Sequence, residues 1–178
     1  MKILFSYNYG EEAMNSVKAL GLDAEFYDEK KMDTYPHPET VDVLICYNPF
    51  KLINLRAFKS LKVILLSSIG FDQLPQEDVK AMGITVCNNR GGYSIPMGEW
   101  IVLKILEMVK HSKTLYNNQR EHRWMMDTSI TELYQKNILF FGTGTISKEA
   151  AKRLQGFDMN IIGLNTTGHH ETCIQEYG

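Results

Sequence analysis

The chain has 178 residues, enough for one large domain or two small ones, and its 44% apolar and 22% charged residues are the proportions of an ordinary globular protein. A net charge of −2, with no basic stripe to neutralise phosphates, excludes nucleic acid as the expected partner. No apolar run reaches membrane-spanning length and the chain enters a strand at Lys2 without a signal-peptide pattern, so no membrane partner is expected and the expected location is the cytoplasm.

From Lys2 to Asn89, short apolar runs alternate with helix-like segments, the pattern of a parallel sheet covered on both faces. Strands are predicted over 2–7, 24–27, 42–47, 62–67 and 85–88, and helices over 11–20, 52–60 and 76–82, with Gly21 and Gly83 as helix stops. With no glycine fingerprint after its first strand, this α/β unit reads as a flavodoxin-like parallel-sheet domain that does not grip a dinucleotide. Ligands of such sheets sit at the carboxyl ends of the strands. Two of those ends are unusual in composition: Tyr47-Asn48-Pro49-Phe50 and Ser67-Ser68-Ile69-Gly70-Phe71-Asp72. Cys46 and Cys87, in apolar strand runs, read as small core residues. With Cys173 they form an odd-numbered set without metal-ligand spacing, so neither a disulfide framework nor a metal is expected.

The stretch Asn88-Asn89-Arg90-Gly91-Gly92-Tyr93-Ser94-Ile95-Pro96 is rich in turn formers and separates two patterns, which places a domain boundary between 92 and 93. Beyond it Trp100, Ile101, Leu103, Ile105, Leu106 and Val109 predict a long helix from Met97, buried on one side, whose Met and aromatic residues serve packing. The apolar run from Asn137 to Phe141 then meets Gly142-Thr143-Gly144-Thr145-Ile146-Ser147 and a helical segment over 147–155, the opening of a βαβ nucleotide-binding unit. Gly142 permits the tight turn and Gly144 lets backbone approach a pyrophosphate. The N–H groups of Thr145 and Ile146 point from the helix N-terminus toward its charge. Ser147 replaces the third glycine and is small enough to keep the turn. A second apolar strand over 158–165 follows at crossover spacing; the alternative is a strand, turn and helix that bind nothing. That strand ends at Asn165 instead of the carboxylate that holds an NAD ribose, and Asn165, Thr166, Thr167 and the pair His169-His170 can receive a 2′-phosphate. NADP is therefore favoured over NAD, while the histidine pair lacks a third metal donor nearby.

Four stretches, in order, resemble the D-isomer-specific 2-hydroxyacid dehydrogenases, phosphoglycerate dehydrogenase-like members included. Leu61-Lys-Val-Ile-Leu-Leu-Ser-Ser-Ile-Gly-Phe-Asp72 is similar to that family's substrate loop, and Gly83-Ile-Thr-Val-Cys-Asn-Asn-Arg-Gly91 to the strand and linker into its cofactor domain. Ile95-Pro-Met-Gly-Glu-Trp100 is similar to the start of its dimerisation helix, and Trp124 with Glu132-Leu133 to the run-up to the glycine turn. The likeness covers essentially the whole chain. It implies an oxidoreductase that moves a hydride between the nicotinamide of NAD or NADP and C2 of a small 2-hydroxy or 2-oxo acid. The fold implied is a flavodoxin-like substrate domain followed by the first half of a Rossmann-type nucleotide-binding domain. By the same resemblance the backbone of Ser68, Ile69 and Gly70 holds the substrate carboxylate, and Tyr47 and Asn48 line that cleft. Gly142, Thr143, Gly144, Thr145, Ile146, Ser147, Asn165, Thr166 and Thr167 are the implied cofactor residues, and the chain is implied to form a homodimer. Ile101 departs from the pattern, standing where the family often has a cofactor-contacting hydroxyl.

The family's catalytic arginine, glutamate and histidine match no position up to Gly178, so no catalytic residue is assigned. His111 and His122 precede the glycine turn, and His169 and His170 fall beside the cofactor ribose. The expectation is a chain truncated before its catalytic residues and inactive by itself. The alternatives are a non-catalytic nucleotide-sensing or co-repressor-like module, and one half of a split enzyme completed by a chain supplying the missing half.

Overall fold

Five short strands, β1 (Lys2–Phe5), β2 (Asp23–Phe26), β3 (Val43–Cys46), β4 (Val63–Leu66) and β5 (Thr85–Cys87), pair in parallel in the order β2-β1-β3-β4-β5. This is the flavodoxin-like order, with its switch point between β1 and β3. The computed structural model describes residues 1–166 and 175–177 and divides into two units, Met1–Arg90 and Gly91–Gly178. Thr167, His169, His170 and Cys173 lie outside the described residues. Among the described residues no helix is long and apolar enough to cross a membrane, and no group of His, Cys, Asp or Glu has the arrangement of a metal site.

The strands of the first unit are near-continuously apolar because both faces of the sheet are covered. On one face Leu4, Leu44, Cys46, Ile64 and Leu66 pack with Met32, Val41, Leu55, Phe58 and Leu61. On the other, Ile3, Phe5, Ala24 and Val43 meet Met14 and Val17 of α1 (Glu11–Ala19). A short α2 (Gln76–Ala81) precedes β5. The helix expected over 52–60 is instead one 3-10 turn, Leu55–Ala57. Asn54 Oδ1 accepts the Arg56 N–H at 3.1 Å, and that local bond competes with helix formation while Leu55 and Phe58 drop into the core. Cys46 is buried as expected, but Cys87 is exposed. Its strand is the sheet's edge, and an apolar run does not by itself guarantee a cover.

The amino ends of the strands are tied by charge. Asp42 accepts the Lys2 backbone N–H at 2.8 Å and Lys62 Nζ at 3.1 Å, which holds its carboxyl below the usual range. Partial burial pushes Glu25 up, yet hydrogen bonds from Lys2 (2.9 Å) and the Tyr35 hydroxyl (3.1 Å) outweigh it and leave the carboxyl low. Both carboxyls have a folded pKa below the unfolded one, so their stabilisation is complete above the unfolded value and is lost as pH falls through the folded one. The first unit should keep its melting temperature down to about pH 5 and lose it progressively below about pH 4. Thermal melts across that range check this, and a melting temperature unchanged down to about pH 2 refutes it.

The second unit contains α3 (Ser94–Val109), α4 (Ser112–Arg120), β6 (Asn137–Phe141), α5 (Thr145–Leu154), β7 (Asn160–Leu164) and β8 (Gln175–Tyr177). Its strands are parallel, in the order β6-β7-β8, with α5 as the crossover from β6 to β7. Leu133, Ala151, Leu154 and Ile161 form the core, joined by Val102, Ile105, Leu106 and Val109 of α3. Close approach of α3 to α5 depends on Gly98: a Cβ there would stand 2.8 Å from Glu149 Cβ and 2.9 Å from the Ala150 nitrogen. Arg153 bridges the two helices, reaching Glu99 at 3.2 Å and Glu149 at 2.8 Å.

The other side of α3 corrects the packing reading of its Met and aromatic residues. Ile95, Met97, Trp100, Leu103 and Met108 are exposed, because the helix is apolar around most of its circumference and α5 covers only one stripe. The helix stops at Lys110, and His111 takes a left-handed φ of 49° before α4. His111 Nδ1 lies 2.9 Å from Asp127 Oδ2, while the Ser129 hydroxyl and N–H both reach Asp127 Oδ1. The Ser129 hydroxyl, then His111, pull the Asp127 carboxyl down to about 2. His111 thus pins the loop after α4.

Candidate functional site

The glycine turn of the second unit is built from four hydrogen bonds. After Phe141, Gly142 takes φ 98°, a left-handed conformation that a side chain would strain, and donates its N–H to the Leu164 carbonyl at 2.8 Å. Ser147 Oγ donates to the Gly142 carbonyl at 2.7 Å, Asn165 Nδ2 to Thr143 Oγ1 at 3.1 Å, and buried Ser94 Oγ to Thr145 Oγ1 at 2.9 Å. Ser147 therefore straps the turn that a third glycine would merely permit, and Asn165 ties the tip of β7 to it. Thr166 is exposed just beyond.

The same turn leaves donors without an acceptor among the described residues. The first helical bond of α5 runs from the Lys148 N–H to the Gly144 carbonyl at 3.0 Å, so Thr145, Ile146 and Ser147 have no intrahelical acceptor for their N–H groups. The helix has no side-chain cap, and a Cβ added at Gly144 would meet nothing within 4 Å. An uncapped helix N-terminus with an open approach beside it fits the pyrophosphate of a dinucleotide.

In the first unit, the loop after β4 shows a similar imbalance. Ser68 Oγ donates to the Gly70 carbonyl at 2.8 Å, Asn88 Nδ2 to the Ile69 carbonyl at 2.7 Å, and the Asn89 N–H to the Ser68 carbonyl at 3.0 Å. Gln73 Nε2 bridges Ser68 Oγ (2.8 Å) and the Tyr47 carbonyl (3.1 Å). Each carbonyl of Ser68, Ile69 and Gly70 thus accepts a bond, whereas their N–H groups find no acceptor among the described residues. Used acceptors and spare donors are the composition of an anion nest.

Tyr47 and Asn48 stand differently. Their N–H groups donate to Glu29, at 2.8 Å to Oε2 and 2.9 Å to Oε1, and the Ser6 hydroxyl donates to the same carboxylate. Their N–H groups are therefore not left over for a ligand. Sequence reading missed Glu29 and Gln73, and no local pattern marks them, because Glu29 follows β2 and reaches past the end of β1 to the end of β3. A cavity of about 620 Å³ lined by Phe71, Leu74, Val79, Val86 and Asn88 lies along α2. Gln76, Lys80 and Cys87 complete its lining, which does not include Ser68, Ile69 or Gly70.

A sequence model described as the D-isomer specific 2-hydroxyacid dehydrogenase NAD binding domain matches residues 102–178. The chain is 30% identical to a hydroxypyruvate reductase of Thermotoga maritima over 128 residues, 70% of this chain and 42% of that one. It is 26% identical to a glycerate dehydrogenase of Hyphomicrobium methylovorum, over 93% of this chain and 54% of that protein. The chain therefore spans about half the length of these relatives. A solved D-isomer specific 2-hydroxyacid dehydrogenase family protein from Aeromonas salmonicida superposes with a TM-score of 0.82 at 19% identity, over 99% of this chain and 57% of that one, which shows a shared fold.

Proposed function

We propose that the chain, whose residues 102–178 match the NAD binding domain of the D-isomer-specific 2-hydroxyacid dehydrogenases, is a member of that family and forms the carboxylate site and the pyrophosphate site of an NAD(P)-dependent oxidoreductase acting on a small 2-hydroxy or 2-oxo acid. The observation that carries this reading is the start of α5, where three N–H groups lack an intrahelical acceptor beside the open space at Gly144. The nicotinamide of the bound cofactor supplies or accepts the hydride. The residues of this chain bind and orient. Ser68, Ile69 and Gly70 hold the acid's carboxylate through backbone N–H groups, without burying a competing side-chain charge. Glu29 and Gln73 act through others, fixing the loops that carry Tyr47, Asn48 and the nest. Gly142, Thr143, Gly144, Thr145, Ile146 and Ser147 receive the pyrophosphate, and Asn165 with Thr166 borders the ribose.

No residue here corresponds to the family's catalytic arginine, glutamate and histidine, so the chain alone binds its ligands without turning them over. With Asn165 in place of a carboxylate at the tip of β7, NADPH binds more tightly than NADH. Fluorescence titration of the purified chain with both cofactors, followed by an assay with glyoxylate and hydroxypyruvate, tests this. Weak binding that favours NADPH and no turnover are expected. Tighter NADH binding removes the NADP preference, and measurable turnover shows that a catalytic set lies within these residues.

The uncovered side of α3 is proposed as the face of a homodimer. Ile95, Trp100, Leu103 and Met108 are exposed on one helix, and Trp124 is fully exposed, a concentration of apolar surface that single exposed residues do not explain. Sedimentation should show a dimer that Trp100→Glu converts to monomer; a monomeric parent chain would refute the assignment.

A further inference from the structure

The buried serines among the described residues are Ser6, 3% exposed, and Ser94, 6% exposed. Ser6 donates to Glu29. Ser94, the first residue of α3, reaches one acceptor, Thr145 Oγ1 at 2.9 Å, where α5 begins. A buried hydroxyl keeps its proton on an acceptor, so the bond runs from Ser94 to Thr145. Thr145 is exposed, and with its oxygen accepting, its own proton is left without an acceptor among the described residues. The other hydroxyl in that turn of helix is committed, because Ser147 Oγ donates to the Gly142 carbonyl at 2.7 Å. Thr145 thus carries a spare O–H on a residue whose N–H is spare as well.

Packing, and not the hydrogen bond alone, keeps Ser94 at Thr145. The Ser94 N–H donates to the Gly91 carbonyl at 3.0 Å, which fixes the start of α3. Four residues further along each helix, Gly98 meets Glu149 and Ala150 so closely that a Cβ there would stand 2.8 Å from Glu149 Cβ. Beyond that contact Arg153 reaches Glu99 at 3.2 Å. A step of four residues is about one turn, so α3 and α5 run side by side from their first residues and hold Ser94 in register with Thr145. An O–H whose oxygen accepts a hydrogen bond is polarised into a better donor, and a donor facing an ionised oxygen gains more than one facing a neutral one.

Resting on the reading of the α5 start as the pyrophosphate site, we infer that the Thr145 hydroxyl is a further donor to the pyrophosphate and that Ser94 is the positioning residue that frees its proton for that contact. The test is fluorescence titration of the purified chain and its variants with NADPH, with thermal melts to report whether each variant folds. Thr145→Val should raise the Kd about tenfold, and Thr145→Ser should keep it within about twofold of the parent. Valine also strands the buried Ser94 hydroxyl, so Ser94→Ala is added to it; the double variant removes the stranded group and should bind as weakly as Thr145→Val. Ser94→Ala alone should raise the Kd about threefold, a loss that disappears when the same change is made in the Thr145→Val background. A double variant that binds NADPH as tightly as the parent, or a Thr145→Ser chain as weak as Thr145→Val, overturns the hydroxyl contact while leaving the backbone site intact. An effect of Ser94→Ala that is equal in both backgrounds overturns its positioning role. No NADPH binding by the parent chain overturns the pyrophosphate reading and the inference with it.

Discussion

Gly144→Val should weaken dinucleotide binding at least about tenfold while leaving the melting temperature of the chain unchanged. Gly144 has φ −75° and ψ −176°, a conformation open to any residue, and an added Cβ would touch nothing within 4 Å. The valine therefore costs the fold little, yet it occupies the space through which a pyrophosphate reaches the N–H groups of Thr145 and Ile146. Gly142→Val provides the contrast. At φ 98° its branched side chain is strained by about 1–2 kcal/mol, so stability and affinity should fall together. Thermal melts paired with cofactor titration separate the two effects. A Gly144→Val chain that binds NADPH as well as the parent would remove the pyrophosphate from this turn.

Phe58→Ala should destabilise the first unit by about 3–5 kcal/mol. Phe58 is only 2% exposed and is among the largest fully buried side chains. It stacks on Tyr35, with centroids 6.5 Å apart and planes 9° from parallel, and the Tyr35 hydroxyl in turn donates to Glu25. Truncation leaves a cavity and frees the ring that helps hold Glu25 and Lys2 in place. The loss should be confined to the transition of the first unit, because Leu133, Ala151, Leu154 and Ile161 form a separate core. Urea unfolding followed by tyrosine and tryptophan fluorescence measures it, and a loss under about 1 kcal/mol would mean that the core refills the gap.

The parallel sheets were legible in the sequence because strands buried on both faces leave apolar runs, as in Val-Leu-Ile-Cys of β3 and Val-Ile-Leu-Leu of β4. The turn at Gly142 was legible for the same kind of reason, since its left-handed φ favours glycine. The helix expected over 52–60 failed because Leu52, Ile53, Leu55 and Phe58 imitate helical spacing, while the Asn54 side chain claims the Arg56 N–H. Periodicity does not register that competition. It could not distinguish an edge strand from a covered one either, and so misplaced Cys87.

At the candidate sites, turn-forming composition and family likeness pointed to the loop of Ser68, Ile69 and Gly70 and to the glycine turn. The residues that hold those loops were out of reach. Glu29 lies 18 and 19 positions from its partners Tyr47 and Asn48, and Gln73 lies 26 from the Tyr47 carbonyl.

By itself, the sequence determined where β1 to β7 run, though not β8, where glycines turn the chain and where a phosphate-binding helix start could form, because each follows from local sterics and side-chain periodicity. Tertiary structure alone decided which N–H groups remain spare, which side of α3 stays uncovered and which carboxylate ties Tyr47 and Asn48 down. Each of those depends on a meeting of distant residues that only the strand order and helix packing bring about.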